Sequence, residues 1–223
     1  MFEALFGSSL KTQMVAPEKA LAGRDTPPDV VPGTHAVLGT PLQGPWPEGT
    51  RVIYLGLGCF WGAEKAFWQL PGVVTTAVGY QGGYTPHPTY EEVCTARTGH
   101  TETVMVAYDP QVVSDAEILR AFWEEHDPTQ GFRQGNDVGT QYRSAVYWTT
   151  PEQEKVVRET HETFAAKLAA SGYGAITTEL RPADEAGQFY YAEGYHQQYL
   201  HKNPAGYCPT HSTGVACPVP AEG

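Results

Sequence analysis

RVIYLGLGCFWGAEKAFWQL, residues 51–70, changes its apolar period at Cys59. Its first half, RVIYLGLG, is an apolar run that predicts a strand. From Cys59 to Leu70 the apolar residues recur at helical spacing, which predicts a helix with one apolar face. The residues on that face are Phe60, Ala63, Phe67 and Leu70. A thiol followed by two aromatic side chains at a strand-to-helix turn is compatible with core packing, metal ligation or nucleophilic chemistry.

Strand and helix patterns alternate along the rest of the chain. The further predicted strands are VVTTAVGYQGG (73–83), TETVMVAY (101–108), RSAVYWT (143–149) and AITTEL (175–180). The further predicted helices are SDAEILRAFWEEHD (114–127), a long helix starting with Thr150, Pro151 and Gln153, and YAEGYHQQYLHKN (191–203). Ser114 with Glu117, and Thr150 with Gln153, have the spacing of capping boxes. Several strands are expected to bury one face, so we predict an α+β fold, a two-layer sandwich with a mixed sheet and a ferredoxin-like core.

The chain divides into three segments by composition. Residues 1–50 hold seven of the 18 prolines, which predicts an extended N-terminal arm because proline lacks a backbone donor. Residues 51–202 carry the alternating pattern and are predicted to form the catalytic domain. Residues 203–223 form a loop-rich tail with two of the four cysteines, and its composition predicts mobility.

Composition and charge exclude several classes of function. The net charge of −11 argues against general nucleic-acid binding, which requires a positive surface. The N-terminal sequence MFEALFGSSLKTQ lacks the apolar run of a secretory signal, and no stretch approaches the roughly 20 apolar residues that span a bilayer. We therefore expect a cytoplasmic protein whose cysteines are reduced, catalytic or metal-binding.

Cys59 has two interpretations from its position alone. In the first turn of a helix, unpaired amides and the helix dipole favour an anion, which commonly lowers a thiol pKa. Alternatively, Cys59 packs as a small buried hydrophobe, as most cysteines do. Gly62 excludes a C-x-x-C redox motif, and Lys65 stands where a phosphatase loop needs arginine.

Glu102 is a candidate general acid. Strand alternation places it on the same face as Val104, Val106 and Tyr108. Desolvation there would raise its pKa and keep it protonated, as a general acid requires. The alternative is an exposed glutamate at the end of a strand.

Cys208 and Cys217 of the tail are separated by eight residues. A segment of this kind can carry a disulfide outward by thiol–disulfide exchange. The alternative is a zinc site of Cys208, His211, Cys217 and a fourth ligand, although structural zinc sites have tighter paired spacing.

Four collinear blocks of sequence resemble the A-type peptide-methionine sulfoxide reductases. The blocks are GCFWGAE, GYTPHPTYEEVCTARTGHTETV, HDPTQGFRQGNDVGTQYRSAVY and YHQQYLHKNPAGYC, which together cover most of residues 51–208. The two tail cysteines are similar to the subgroup that uses three cysteines in turn. The tail spacer PTHSTGVA departs from that subgroup in having less glycine.

The resemblance implies a role for each matching residue. Cys59 would attack the sulfoxide sulfur, Glu102 would protonate the oxygen, and Phe60 and Trp61 would form an apolar pocket for the S-methyl group. The resemblance further implies that Tyr90 and Tyr142 hydrogen-bond the oxygen and that Asp137 supports the site.

The resemblance also implies how the enzyme is regenerated. Cys208 would resolve a Cys59 sulfenic acid, and Cys217 would then form a Cys208–Cys217 disulfide that thioredoxin reduces. The implied substrate is the S epimer of methionine sulfoxide, free or in proteins, with no metal or organic cofactor. We expect a monomer, with Cys94 as a packing residue and His196 in a structural hydrogen bond.

Two other functions remain as alternatives. The chain could be a zinc-stabilised or methionine-binding module whose cysteines are ligands or packing residues. It could also be a cysteine hydrolase, which would form an acyl-enzyme and leave the tail cysteines without a task.

Overall fold

A computed structural model describes residues 11–208 and 211–218. The helices are α1 (Phe60–Trp68), α2 (Tyr90–Cys94), α3 (Asp115–Glu124), α4 (Pro151–Ala170), α5 (Ala183–Ala186) and α6 (Tyr199–Lys202), and two 3-10 helices span Pro17–Lys19 and Thr140–Tyr142. The strands are β1 (Arg51–Leu57), β2 (Val73–Gln81), β3 (Thr101–Tyr108), β4 (Arg133–Gln134), β5 (Asp137–Val138), β6 (Ser144–Trp148), β7 (Glu179–Pro182) and β8 (Tyr190–Tyr191). Among the described residues, no helix has the length and apolar character needed to cross a membrane.

Six strands form one mixed sheet in the order β7-β6-β1-β3-β2-β8, and β4 pairs with β5 in a separate hairpin. Only β6 and β7 of the large sheet run parallel. With α1 between β1 and β2, and α3 between β3 and β6, the central strands make a βαββαβ unit. Their spatial order is fourth, first, third, second, which is the ferredoxin-like arrangement. The predicted fold class is therefore confirmed.

The main core lies between the sheet and helices α1, α3 and α4. On α1 the predicted apolar face is buried at Phe60, Ala63 and Phe67, and Leu70 packs against the same core just beyond the end of the helix. The capping boxes predicted at the starts of α3 and α4 are both formed, which satisfies amides that each helix leaves unpaired. This packing fixes the position of the β1–α1 turn.

The opposite face of the sheet is covered by the N-terminal arm, and this corrects the expectation of one-sided burial. Every residue of β3 is buried. Leu42 of the arm is fully buried against Ala77 and Met105, with Val31 and Trp46 packed around them. The described part of the arm, residues 11–50, thus acts as a second covering layer and adds no strand to the six-stranded sheet.

Two predicted elements near the C-terminus are shorter than expected. The strand predicted over 175–180 begins only at Glu179, because the Thr177 amide donates to Pro128 and not to a neighbouring strand. The helix predicted over 191–203 is reduced to α6. Before it, Gln198 takes a left-handed conformation, and the Gln197 side chain bonds the backbone of Val78. Tertiary hydrogen bonds thus replace local ones in both segments.

Candidate active site

Cys59 lies at the N-cap of α1, directly after β1. Gly58 makes this turn possible with φ of +96°, a region that side chains other than glycine rarely adopt. A Cβ on Gly58 would also lie 2.8 Å from the side chain of Gln134. Cys59 is partly exposed, and the backbone amides of Trp61 and Gly62 at the helix start favour the anionic form of its sulfur.

The environment of Cys59 differs from the one predicted from the helix start. Burial raises the pKa of the Cys59 thiol well above its ordinary value, and the nearby Glu102 carboxylate raises it further. The amides of Trp61 and Gly62 act in the expected direction but are outweighed. Of the two interpretations of Cys59, a thiol pKa lowered by the helix start is not supported, because desolvation exceeds the effect of the helix N-terminus.

Glu102 lies beside this turn on β3, with only 1 % of its surface exposed. Its Oε2 accepts a hydrogen bond of 2.9 Å from the amide of Phe60, the first residue of α1. Burial raises the pKa of Glu102 to about 8, Asp137 adds to the rise, and the Phe60 amide opposes it. At neutral pH the protonated form dominates, so Glu102 holds a proton close to the Cys59 thiol.

Tyr90 and Tyr142 both lie near Glu102. Burial raises the pKa of each phenol, and Glu102 is the next cause in both cases. Both hydroxyls therefore keep their protons and can donate hydrogen bonds. The Tyr90 backbone amide donates to Glu193 Oε1 at 2.8 Å, which anchors the start of α2. No motif or spacing in the sequence signals this role of Glu193.

Asp137 lies on β5 of the small hairpin, and burial raises its pKa. The hydroxyl of Tyr207 lies 3.3 Å from Asp137 Oδ1 and 3.4 Å from Oδ2. His211 packs over Gly135 of the same hairpin so closely that a Cβ on Gly135 would overlap the imidazole ring. The tail therefore crosses the edge of the site, and Tyr207 is a site residue that sequence reasoning missed.

The two aromatic residues after Cys59 have different surroundings. Phe60 is buried in the core, with its ring 5.1 Å from that of His196. Trp61 is partly exposed, stacks on Tyr199 at 3.9 Å between ring centroids, and donates from Nε1 to His196 Nδ1 at 2.9 Å. Trp61 is thus the member of the pair with exposed aromatic surface, and Phe60 belongs to the core.

The three cysteines of the predicted relay are free thiols with different surroundings. Cys208 is exposed and follows Tyr207 directly, whereas Cys217 is only 4 % exposed and packs into the main core. The Cys217 amide donates to Glu124 Oε1 at 2.8 Å, and burial together with Glu124 raises the thiol pKa to about 12. The segment 211–218 is therefore packed against the domain, contrary to the mobility that its composition predicted.

Cys94 ends α2 and is partly exposed. Its sulfur hydrogen-bonds the Tyr90 side chain, and burial raises its pKa. Over the described part of the chain, no group of three or more His, Cys, Asp or Glu side chains could hold a metal ion, and this includes Cys208, His211 and Cys217.

Comparisons with known proteins agree on one family. Residues 51–217 match the family model described as "Peptide methionine sulfoxide reductase". The chain is 59% identical over 216 residues to "Peptide methionine sulfoxide reductase MsrA" of Corynebacterium kroppenstedtii, over 96% of this chain and 98% of the relative. A protein of the same name from Rhodospirillum centenum is 61% identical over 201 residues and 90% of each chain. The solved structure titled "Methionine sulfoxide reductase A of Corynebacterium diphtheriae" has a TM-score of 0.84 and 55% identity, over 93% of this chain and 99% of that one.

Proposed function

Because the chain belongs to the peptide methionine sulfoxide reductase family, it reduces methionine sulfoxide to methionine, and we propose that the Cys59 thiol does so with Glu102 as proton donor. The observation that carries this assignment is the pairing of a partly exposed thiol with a buried carboxyl group. Glu102 has a pKa of about 8 and is held by the same helix start that carries Cys59.

The chemical step needs a proton at the sulfoxide oxygen and electron density at the thiol. Neutral Glu102 donates its proton to the sulfoxide oxygen. Because burial raises the pKa of Cys59, its thiol keeps its proton until the sulfur attacks and then passes it to the Glu102 carboxylate. The amides of Trp61 and Gly62 then favour the anionic sulfur. The Cys59 sulfur attacks the substrate sulfur and is oxidised by two electrons. One sulfoxide and one thiol become one methionine and one Cys59 sulfenic acid.

The substrate is positioned by aromatic surface and hydroxyl groups. We assign the S-methyl pocket to Trp61, with the buried Phe60 ring behind it. Tyr90 and Tyr142 keep their protons and lie near Glu102, so they can donate to the sulfoxide oxygen. We further propose that the S epimer is the substrate.

Regeneration uses the tail cysteines and an external dithiol. The Cys208 thiol displaces the sulfenic oxygen as water and forms a Cys59–Cys208 disulfide. Cys217 then attacks Cys208, which releases the Cys59 thiol, and thioredoxin reduces the Cys208–Cys217 disulfide. Cys217 has to leave its contact with Glu124 for this step, so the packed segment 211–218 must detach during each cycle.

The setting proposed for this reaction is the cytoplasm. Free thiols at Cys59, Cys208 and Cys217 suit a reducing compartment. We propose a monomeric enzyme that acts on free or protein-bound methionine sulfoxide.

The direct test is chromatographic consumption of a mixture of S and R blocked methionine sulfoxide with dithiothreitol as reductant. We expect loss of the S epimer alone, and no loss with Cys59→Ser. Consumption of both epimers would overturn the stereochemical assignment, and an active Cys59→Ser variant would overturn the nucleophile.

A further inference from the structure

A second buried carboxylate, Glu64, lies on α1 one helical turn from Trp61 and takes no part in the chemistry above. No part of its surface is exposed. It accepts three hydrogen bonds: from the Thr76 hydroxyl at 3.0 Å, and from the Gln198 backbone and side-chain amides at 2.8 Å each. Burial raises its pKa to about 7, and these donors hold the pKa from rising further. This buried carboxyl group holds its three donors in fixed positions, because leaving any of them without an acceptor would cost free energy.

His35 of the N-terminal arm is fully buried and extends the hydrogen bonds of Glu64 towards the arm. Its Nδ1 accepts from the amides of Val37 and Leu38, at 3.1 and 3.0 Å. The proton of the neutral ring is therefore on Nε2, which donates to Thr76 Oγ1 at 2.9 Å. Burial and His201 lower the pKa of His35 to about 4, which keeps the ring neutral. Thr76 thus accepts from the arm and donates to Glu64.

Gln198 is held from both sides. Its backbone and side-chain amides donate to Glu64, and its side-chain oxygen accepts from the Ala36 amide of the arm at 3.1 Å. It has φ of +48°, a conformation that costs energy for a residue with a Cβ. The contacts to Glu64 and to the arm select that conformation in place of a continued helix.

Two residues close to Gln198 in the chain, His196 and Tyr199, hold Trp61. His196 accepts from the indole nitrogen, and Tyr199 stacks on the indole face. The orientation of Trp61 therefore depends on the backbone at Gln198, and that backbone depends on Glu64 and the arm. The side chain of Glu64 itself forms no described contact with the thiol of Cys59.

We propose that His35, Thr76 and Glu64 form a positioning relay that acts through Gln198 to set the orientation of Trp61, so that the N-terminal arm is part of the substrate pocket. This inference rests on the proposed function, in which Trp61 forms the wall for the S-methyl group. The three residues are positioning residues, and their loss weakens substrate binding more than it slows the chemical step.

The first test measures the surroundings of the Trp61 indole by its fluorine chemical shift, in the absence of substrate. Fluorine NMR of protein labelled with 5-fluorotryptophan gives one signal for each indole, and the Trp61 signal is assigned with Trp61→Phe. We expect Thr76→Val and Glu64→Gln to shift the Trp61 signal, while Thr76→Ser, which keeps the hydroxyl, leaves it in place. Because no turnover is involved, this measurement separates failure of the relay from failure of the proposed reaction.

Thr160 provides a matched control. Its hydroxyl is also buried and accepts from a tryptophan, Trp123, at 3.0 Å in the core. Thr160→Val should shift the Trp123 signal and leave that of Trp61 unchanged. His35→Ala should shift the Trp61 signal as Thr76→Val does, and the double variant should add nothing further, because the two act in one chain of hydrogen bonds.

The second test is kinetic. Thr76→Val should raise the KM for blocked methionine sulfoxide about tenfold, the size expected for one lost hydrogen bond to a charged group. The single-turnover rate at saturating substrate should stay at the wild-type value. An unchanged Trp61 signal and KM in folded Thr76→Val or Glu64→Gln would overturn the relay, as would an equal rise in KM with Thr160→Val.

Discussion

The hydroxyl of Tyr207 lies 3.3 Å from Asp137 Oδ1, which places the residue before Cys208 at the edge of the Cys59 site. Tyr207 is itself half-exposed, so this contact bridges the tail and the β4–β5 hairpin at the surface of the protein. The contact brings the resolving cysteine of the proposed relay close to the site while leaving its thiol exposed.

Tyr207→Phe should slow formation of the Cys59–Cys208 disulfide about fivefold, because one hydrogen bond that orders the tail is lost. The burst of methionine formed in the first turnover should be unchanged. Loss of free thiols, followed by mass spectrometry after addition of sulfoxide, measures the first quantity. A slower burst with an unchanged rate of disulfide formation would place Tyr207 in the reduction step.

The reduction step should depend on protonated Glu102. Its pKa is raised to about 8, so the acid form is present below that pH and is lost as the pH rises through it. The single-turnover rate should therefore fall above about pH 8 in the wild type. Glu102→Gln should be slower by roughly 10²–10⁴ and should lack this fall, because the variant has no proton to lose. A Glu102→Gln enzyme with the wild-type rate would remove the acid assignment.

Cys217 should be protected in the reduced protein. Burial and Glu124 raise its pKa to about 12, so little thiolate is present at pH 8. Iodoacetamide should therefore modify Cys217 at least about tenfold more slowly than the exposed Cys208, as judged by peptide mass spectrometry. After one turnover without reductant, Cys217 should be found in a disulfide with Cys208, and Cys59 should be the thiol that reacts with iodoacetamide. Equal labelling of the two tail thiols in the reduced protein would contradict the docked position.

Gly58→Ala tests the turn that presents Cys59. The substitution combines a strained φ of +96° with a clash against Gln134, and it should lower both stability and activity. Gly172 has a comparable φ of +86° and no atom within 4 Å of the position that a Cβ would occupy, so Gly172→Ala is the matched control. We expect Gly172→Ala to cost about 1–2 kcal/mol in urea unfolding with full activity, and Gly58→Ala to cost more. Equal activity of the two variants would show that the conformation of the turn at Gly58 is not required for the reaction.

The central fold and the family could be predicted because their signals are local. The change of period at Cys59, the capping boxes before α3 and α4, and the collinear motifs each lie within a short stretch of sequence. The family prediction is confirmed by the match over residues 51–217. The three-cysteine relay stays a prediction.

The contacts that the sequence did not reveal join distant segments. Tyr207 and Asp137 are 70 residues apart, and Glu64 and Gln198 are 134 residues apart. Neither pair has a sequence spacing or a hydrophobic period from which the contact could be predicted. The raised pKa of Cys59 was missed for a related reason. Burial of the thiol and the nearby charge of Glu102 both depend on the tertiary fold, whereas the effect of a helix N-terminus can be predicted from the local sequence.

The central claim is that Cys59 takes the oxidising equivalent from the sulfoxide. The most direct test is a single turnover of Cys208→Ser with blocked methionine sulfoxide, in the absence of reductant, followed by peptide mass spectrometry with dimedone trapping. We expect one methionine formed per protein and one sulfenic acid located on Cys59. Methionine formed without oxidation of Cys59, or with the sulfenic acid on another cysteine, would contradict it.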